Sequence, residues 1–266
     1  TVFPRMVASE HRTDIVLSRM PTGLAPLDAL LGGGIERGTS TMIVGPPGTG
    51  KSTITAQFAL AAAQRGERTL MLIFDESRST LIGRAQGLGI DLTGPMEAGL
   101  ITILQIDPAE LSPGEFAYSI RRAVEDNGTA IIVIDSLNGY LAAMPSERYL
   151  VVQLHELLSY LGQKNVATLL VGAQRGLIGT QMTTPVDASY LADAVLLLRY
   201  FEDRGEIRQA ISVMKKRGGQ HERTIRQFDM NSGGLQIGEP LKGFRGVLTG
   251  VPTDERSDSL PKVTEQ

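Results

Sequence analysis

Short apolar runs alternate with helix-length segments along most of the chain. The runs are rich in valine, isoleucine and leucine, and they occupy residues 40–44, 69–74, 100–106, 130–134 and 166–171. The segments with the length and pattern of helices occupy residues 52–64, 78–88, 113–127 and 148–164. Uninterrupted apolar strands joined by helices are typical of parallel sheets whose two faces are both covered. The pattern therefore predicts an α/β fold with a mostly parallel central sheet flanked by helices.

The spacing of the apolar segments shortens in the last third of the chain. Three segments, at residues 194–201, 207–214 and 224–230, follow one another across short links that contain glycine. Links of this length suit hairpins better than helical crossovers. We therefore expect three antiparallel strands that extend one edge of the sheet.

The two ends of the chain lack the pattern of the core. Residues 1–20 mix charged with scattered apolar residues, which predicts a lead-in or an interdomain linker. Residues 253–266 are polar and charged, and we expect a flexible tail there. Residues 21–252 then form one domain, within the usual range of domain lengths.

Composition narrows the functional classes. The formal net charge is −3 at pH 7, so no strongly basic surface indicates nucleic acid or an anionic membrane. No apolar run reaches the roughly 20 residues of a membrane-spanning helix, and residues 1–19 lack a secretion signal, so we expect a cytoplasmic protein. The chain has no cysteine and three scattered histidines, which argues against disulfides, thiolate chemistry and transition-metal sites.

A phosphate-binding loop is the strongest motif. Residues 45–52 read GPPGTGKS and lie between a predicted strand and a predicted helix, as a P-loop requires. In such a loop, backbone amides and the helix dipole bind phosphate oxygens, a lysine contributes positive charge and a serine is a magnesium ligand. The motif predicts binding of ATP and Mg²⁺ by Gly48, Thr49, Gly50, Lys51, Ser52 and Thr53.

Acidic residues follow two of the predicted strands. Asp135 follows the run 130–134, where a carboxylate commonly helps a P-loop to hold magnesium; a helix cap is the alternative. Asp75 and Glu76 follow the run 69–74, where a carboxylate can activate water or a hydroxyl against the γ-phosphate of ATP. Both could instead cap the next helix and interact with its dipole. We expect at least one of these two acids to be catalytic, together with Lys51 and Asp135.

Lys215, Lys216 and Arg217 form a basic cluster far from the P-loop in sequence. A solvated strand end is the common role of three consecutive charges. Phosphoryl transfer, however, gains from an arginine that reaches the developing charge, and that arginine can come from another protein chain. These residues alone leave both roles open.

Taken together, the motifs resemble the KaiC family of RecA-like ATPases. The resemblance covers about residues 22–252 and rests on four motifs in the family's order, at residues 45–52, 74–78, 134–137 and 198–218. The acidic pair and the basic cluster look more like the second than the first of the two RecA-like domains of a KaiC protein. The resemblance implies a RecA-like P-loop NTPase fold. It also implies a homo-hexameric ring with ATP between subunits, slow hydrolysis and, as in several members, self-phosphorylation.

The resemblance further implies roles for single residues. Asp75 and Glu76 take the place of the family's paired catalytic glutamates, the first of them shortened by one carbon. Lys215 and Arg217 match basic residues that cross the subunit boundary to the γ-phosphate, which makes Arg217 a catalytic candidate and the whole cluster a nucleotide-binding one. His221 lies near the same nucleotide or is an ordinary surface histidine.

Ser189 and Tyr190 occupy the place of the family's adjacent Ser-Thr pair of phosphate acceptors. A tyrosine at the second position departs from that pattern, because a bulky phenol replaces a threonine hydroxyl. In the alternative, Tyr190 packs its ring and Ser189 is an ordinary loop hydroxyl.

Three functional hypotheses result. The first is a Mg²⁺-dependent ATPase ring with Ser/Thr autokinase activity on Ser189, a slow switch in signalling or timing that acts with signalling or clock partner proteins. The second is a DNA-dependent RecA-like motor, in which the loop 175–185 could contact DNA, although net acidity and few aromatic residues count against it. The third is a nucleotide-gated scaffold with little turnover.

Overall fold

The computed structural model describes residues 18–107, 112–142, 147–174, 191–249 and 253–254. Ser189, Tyr190, the loop 175–185, residues 1–17 and residues 255–266 lie outside the described residues. The described strands are β1 (Arg19–Met20), β2 (Ile35–Glu36), β3 (Ser40–Gly45), β4 (Arg68–Ile73), β5 (Ile101–Gln105), β6 (Thr129–Asp135), β7 (Ala167–Ala173), β8 (Ala194–Asp203), β9 (Glu206–Lys216), β10 (Arg226–Asn231), β11 (Gly234–Pro240), β12 (Phe244–Arg245) and β13 (Thr253–Asp254). The described helices are α1 (Ala25–Leu30), α2 (Lys51–Gln64), α3 (Arg78–Gly87), α4 (Thr93–Glu97), α5 (Pro113–Asn127), α6 (Leu137–Ala142) and α7 (Glu147–Gln163).

A mixed sheet of nine described strands forms the centre of the fold, in the order β11-β10-β9-β8-β3-β7-β6-β4-β5. β3 pairs in parallel with β7 and β8, and β4 pairs in parallel with β5 and β6. The residues of β3 are all buried, as are nearly all residues of β6 and β7. Burial on both faces explains why these strands appear in the sequence as continuous apolar runs. The prediction of an α/β fold with a mostly parallel sheet is confirmed.

Helices cover the two faces of the sheet with two separate cores. Alternate residues of β6 contribute to opposite cores: Ile131 and Val133 to one, and Ile132 and Ile134 to the other. The first core includes apolar residues of α2 and α3, and the second includes residues of α5, α6 and α7. This division follows from the strand geometry, in which successive side chains point to opposite faces.

Antiparallel strands extend the sheet beyond β8. β9 pairs with β8, β10 with β9, and β11 with β10, each in the antiparallel sense. The three antiparallel strands predicted at this edge are confirmed. β11 was not predicted, because only Leu235 in it is buried and its sequence contains two glycines and a proline.

Short described strands lie just outside both ends of the predicted domain. Arg19 and Met20, assigned to the lead-in, form β1 and pair with β2, and the side chain of Met20 is buried. Residues 253 and 254, assigned to the tail, form β13 and pair with β12. Both strands are two residues long, which is too short for a hydrophobic pattern to reveal. None of the described helices combines the length and the apolar character that crossing a membrane requires.

Candidate functional site

The carboxyl ends of parallel strands bring the predicted P-loop and acidic residues to one edge of the sheet. The P-loop follows β3 and leads into α2, Asp135 ends β6, and Asp75 and Glu76 follow β4. β6 pairs with β4 on one side and with β7 on the other, and β7 pairs with β3. Because paired strands lie about 4.8 Å apart, the acidic residues are within about three strand spacings of the P-loop. Parallel α/β sheets commonly bind ligands at such an edge.

The P-loop has the backbone conformation of a phosphate cradle. Gly48 and Gly50 have φ angles of 81° and 90°, and Gly50 is the N-cap of α2, where no side chain caps the helix. The free amides of the first turn of α2 are therefore available to an anion, and the helix dipole favours negative charge there. Thr49 of the loop and Thr53 of α2 are buried, and the Thr49 hydroxyl donates to the carbonyl oxygen of Pro46 at 2.8 Å.

Lys51 folds back along the loop that precedes it. Its ammonium donates to the carbonyl oxygens of Gly45 at 2.9 Å and of Pro46 at 2.7 Å. Burial lowers the pKa of Lys51 to about 8, and the negative charge of Asp135 partly opposes this shift. A buried ammonium that is held only by neutral carbonyls is poorly compensated. Its charge is therefore available to an anionic ligand at the loop.

Asp135 is the buried acid of the site. Its pKa is raised from 3.8 to about 6, chiefly by burial. A hydrogen bond from the Ser52 side chain and the positive charge of Arg84 oppose this rise in pKa, and the negative charges of Glu76 and Asp75 add to it. Within the described part of the chain, Oδ2 of Asp135 is buried without a hydrogen-bond partner. A serine hydroxyl beside an unpartnered carboxylate oxygen is a donor set that suits Mg²⁺, which prefers oxygen ligands. The residues present thus fit the metal that a P-loop employs.

The two acids after β4 have different partners. Asp75 is exposed, and its Oδ2 accepts a hydrogen bond from the hydroxyl of Ser136. Glu76 is half-buried and forms a bidentate ion pair with Arg84 of α3, with both N···O distances at 2.8 Å. The N-cap of α3 is Ser77 and not one of the two acids, because the hydroxyl oxygen of Ser77 accepts from the amide of Thr80 at 3.1 Å. Neither acid therefore serves as the N-cap of α3.

Residues of the antiparallel edge support the P-loop, a role that we did not predict from the sequence. The hydroxyl of Tyr200 in β8 donates to the carbonyl oxygen of Pro47 at 3.2 Å. The amide of Gln209 in β9 donates to the carbonyl oxygen of Gly48 at 3.5 Å. A Cβ atom at Gly50 would lie 2.4 Å from the sulfur of Met230 in β10. No local pattern marks these residues, because only the tertiary fold brings them to the loop.

Gln174 is a further polar residue that we did not predict. It directly follows β7, which lies between β3 and β6. Its side chain is buried, and its Oε1 has no hydrogen-bond partner among the described residues. The signal in the sequence was a polar residue at the end of a buried strand, the same signal that Asp135 gave.

The basic cluster lies at the opposite end of the strands from the P-loop. The P-loop follows the carboxyl end of β3, whereas the cluster is level with the amino end of β3. Lys216 pairs with Ala194 of β8, which pairs with Thr41 near the start of β3. The P-loop begins only at the far end of β3, four residues or roughly 13 Å further along the strand. The structure thus separates Lys215 and Arg217 from the P-loop of the same chain.

Side-chain contacts hold Lys215 and Arg217 in place at that end of the strands. The ammonium of Lys215 donates to the carbonyl oxygen of Ala192 at 2.7 Å. Arg217 forms an ion pair with Asp193 at 3.3 Å, while 57% of its side chain remains exposed. Asp193 also accepts hydrogen bonds from the amide and the hydroxyl of Ser40 at 2.9 and 3.0 Å. Arg217 is therefore oriented by an anchored carboxylate and is still open to solvent.

Lys216 and His221 differ from these two residues. The side chain of Lys216 is only 3% exposed, and its ammonium pairs with Glu36 at 3.4 Å and donates to the carbonyl oxygen of Leu31. Because successive residues of a strand point to opposite faces, Lys216 is directed inward and is committed to its own chain. This arrangement does not fit the predicted role of Lys216 in nucleotide binding. His221 is half-buried in the segment that follows β9.

Comparison with known proteins identifies one family. The family profile described as ATPase: KaiC matches residues 20–242. The circadian clock protein KaiC3 of Synechocystis sp. is 29% identical over 236 residues, which cover 88% of this chain and 46% of that protein. The circadian clock oscillator proteins KaiC of Thermostichus vulcanus and Synechococcus elongatus are each 28% identical over 246 residues, which cover 90% of this chain and 47% of each relative. The chain thus spans about half the length of the curated relatives it matches.

Proposed function

The chain belongs to the KaiC family of ATPases, and from this premise we propose that it is a Mg²⁺-dependent ATP hydrolase that assembles into a homo-hexameric ring with ATP at the subunit interfaces. One observation carries the proposal. The P-loop with its acidic residues and the basic cluster with Arg217 lie at opposite ends of the strands of the same sheet. Two copies in head-to-tail contact would bring these ends together, and a closed ring of such contacts is a common assembly.

The P-loop half of the proposed site binds and orients the triphosphate. The amides of the loop and of the first turn of α2 donate to phosphate oxygens, and Lys51 exchanges its two carbonyl partners for the β- and γ-phosphates. Ser52 and Asp135 would hold Mg²⁺, which supplies neutralising charge at the phosphates. In this proposal, Asp135 acts as the ionised carboxylate, and its buried, unpartnered Oδ2 gains a partner.

Asp75 takes the proton in the hydrolytic step that we propose. The oxygen of a water forms a bond to the γ-phosphorus, the bond from that phosphorus to the β,γ-bridging oxygen breaks, and ADP leaves with the bonding electrons. The proton of the water passes to the carboxylate of Asp75. Asp75 is supported in this role because it is exposed and because its partner Ser136 is a neutral hydroxyl and not a cation.

Lys215 and Arg217 of the next subunit complete the proposed site. Developing negative charge on the transferred phosphoryl group is stabilised by an arginine that approaches from outside the P-loop. The exposed guanidinium of Arg217, oriented by Asp193, suits this task, and the ammonium of Lys215 adds positive charge beside it. His221 remains a candidate contact to the same nucleotide.

The hydrolase is tested by phosphate release from Mg²⁺-ATP by the purified chain. We expect slow turnover in the wild type and none in Lys51→Ala, because Lys51 is the buried cation of the loop. Lys242→Ala, which removes an exposed lysine, is the matched control and should turn over at the wild-type rate. Native mass spectrometry with and without ATP reports the subunit number. Turnover that survives Lys51→Ala, or a monomer that turns over at every concentration, contradicts the proposal.

We further propose autokinase activity on Ser189. The described residues next to it in the chain support this: Ala192 accepts a hydrogen bond from Lys215, and Asp193 pairs with Arg217. Ser189 precedes Ala192 by three residues in the sequence, and we propose that it receives the γ-phosphate of ATP bound at a subunit interface. Incubation with Mg²⁺-ATP should add the mass of one phosphoryl group, and Ser189→Ala should abolish that addition. Phosphate found on Tyr190 instead, or on neither residue, contradicts this part of the proposal.

The wider role of the protein is also a proposal. The curated relatives are named as circadian clock proteins, and we propose that this chain is the ATPase domain of a signalling or timing switch that acts in the cytoplasm with partner proteins. Residues 21–252 would then form the functional unit, with residues 1–20 as a linker and residues 253–266 as a tail, apart from the short strands noted above.

A further inference from the structure

Glu76, one of the two candidate catalytic acids, forms a bidentate ion pair with Arg84. Oε1 of Glu76 accepts from Nη2 of Arg84, and Oε2 of Glu76 accepts from Nη1, both at 2.8 Å. The side chain of Glu76 is 18% exposed and that of Arg84 is 39% exposed. Both oxygens of the carboxylate are thus engaged by one cation in the fork geometry that is typical of strong arginine–carboxylate pairs.

Local structure explains how Arg84 reaches Glu76. Ser77 caps α3, so Glu76 directly precedes the helix, and Arg84 lies seven residues after the cap, about two turns along it. Side chains of a helix lean toward its amino terminus. A long arginine side chain at this position therefore extends back along α3 to the residue before the cap.

The pair changes what Glu76 can do as a base. Each oxygen of Glu76 has one of its lone-pair sites occupied by the guanidinium, and the fork fixes the plane of the carboxylate, so Glu76 can accept a proton from water only at the remaining sites and in that fixed orientation. Asp75 has no such constraint, because the partner of its Oδ2 is the neutral hydroxyl of Ser136. The two acids are neighbours in the sequence, but they differ in how freely each can accept a proton from water.

We propose that Arg84 is a positioning residue that withholds Glu76 from proton transfer, so that wild-type turnover relies on Asp75. This inference rests on the proposed hydrolase function and adds a restraint within the same site. The shortened Asp75 is then the less effective of two bases, and the longer Glu76 is a second base held in reserve. Removal of the arginine releases Glu76 and accelerates hydrolysis.

The test is a double-mutant cycle of steady-state ATP hydrolysis with wild type, Arg84→Gln, Glu76→Gln and the double variant. Because a general base contributes large factors to rate, Arg84→Gln should raise kcat at least about threefold with KM within about twofold. In the double variant the gain should vanish, so that its kcat equals that of Glu76→Gln. A merely structural role of Arg84 predicts a lower kcat and no dependence on the residue at position 76.

Two further variants keep the outcome clear. Arg122→Gln breaks an exposed ion pair with Asp126 on α5, on the opposite face of the sheet, and should leave kcat unchanged. Arg84→Lys keeps the charge but replaces the fork with a single ammonium, and should give a smaller gain than Arg84→Gln. It serves as the test if Arg84→Gln does not fold.

The results separate this inference from the proposed function. Wild-type hydrolysis that needs Lys51, combined with an unchanged or lower kcat in Arg84→Gln, overturns the inference and leaves the hydrolase intact. A gain that persists with glutamine at position 76 also overturns it. If neither the wild type nor Arg84→Gln releases phosphate faster than Lys51→Ala, both proposals fail.

Discussion

Lys215 lies opposite Val195 in the antiparallel pair of β8 and β9, and Val195 pairs with Met42 in the first half of β3. The ammonium of Lys215 is therefore level with the part of β3 that precedes the P-loop. Neither Lys215 nor Arg217 can reach Lys51 of its own chain without unfolding this edge of the sheet. If the cluster acts on a nucleotide, that nucleotide belongs to another copy.

Mixing two inactive variants tests this shared site. Lys51→Ala removes the P-loop half and Arg217→Ala removes the other half, and we expect each variant alone to lose at least about tenfold in turnover. In a ring assembled at random from equal amounts, about a quarter of the interfaces combine an intact Lys51 with an intact Arg217. The mixture should therefore recover about a quarter of the wild-type turnover, measured as phosphate release.

A second mixture provides the matched control. Lys51→Ala and Asp135→Asn both damage the P-loop half, so no interface between them contains an intact half-site of that kind. Their mixture should stay inactive although subunits exchange to the same extent, which native mass spectrometry can verify. Equal recovery in both mixtures, or none in the first despite mixed rings, argues against a site shared between subunits.

The parallel core could be predicted from the sequence because its strands are buried on both faces. Runs such as 130–134 consist only of apolar residues, so each gives a clear signal without knowledge of its neighbours. β11 gives no such signal, since it lies at the outer edge of the sheet with only Leu235 buried. Its place is set by antiparallel pairing with β10, a tertiary contact that local pattern does not encode.

The residues of the candidate site also differ in whether the sequence alone reveals them. The P-loop and Asp135 are recognisable because their chemistry depends on contiguous residues at the end of a strand. Arg84 and Tyr200 are not, because Arg84 is one of several arginines on helix surfaces and Tyr200 lies in an apolar strand. The inward direction of Lys216 also depends on the register of β9 against β8, which includes an irregularity between Val195 and Leu196.

Gly48 and Tyr200 provide a second prediction. A Cβ atom at Gly48 would lie 2.7 Å from the Tyr200 hydroxyl, and the φ angle of Gly48 is 81°. Gly48→Ala should weaken ATP binding about tenfold or more. The free loop should relax to relieve the contact with the phenol and the left-handed backbone penalty of about 1–2 kcal/mol, and ATP binding has to restore the strained conformation. Equilibrium binding of a non-hydrolysable ATP analogue measures the effect.

The double variant Gly48→Ala/Tyr200→Phe separates the two causes. Removing the hydroxyl relieves the contact but not the backbone penalty, so affinity should recover in part relative to Tyr200→Phe alone. Gly66→Ala is the control, because Gly66 also has a positive φ angle, 76°, but a Cβ atom there meets nothing within 4 Å. Gly66→Ala should leave nucleotide affinity unchanged. Purely additive effects of Gly48→Ala and Tyr200→Phe would show that the phenol does not restrict the loop.

Asp135 yields the third prediction, which concerns stability and pH. Its pKa rises from 3.8 to about 6 on folding because the carboxylate is buried. The folded state therefore holds the proton more tightly than the unfolded chain does. The contribution of the protonated carboxyl to the free energy of unfolding is fully present below about pH 4 and is lost as the pH rises through 6. Above that pH, the ionised carboxylate destabilises the nucleotide-free protein by about 2–3 kcal/mol.

Asp135→Asn keeps the shape of the side chain and removes the charge. Without nucleotide and Mg²⁺, the free energy of unfolding of the variant relative to wild type should be near zero at pH 4 and should rise to about 2–3 kcal/mol in its favour at pH 7. Denaturant titrations at each pH measure this difference. Asp126→Asn, at an exposed ion pair, is the control and should show no such rise.

Binding of Mg²⁺-ATP should make the wild type more stable than Asp135→Asn. Mg²⁺-ATP binds the folded state and stabilises it, provided that the carboxylate of Asp135 is there to help hold the metal. Mg²⁺-ATP should therefore raise the free energy of unfolding of wild type more than that of Asp135→Asn. The variant should also lose turnover. A stability difference that stays flat between pH 4 and 7 would mean that the carboxylate is not strained in the free protein. Equal stabilisation of both proteins by Mg²⁺-ATP would remove Asp135 from the metal site.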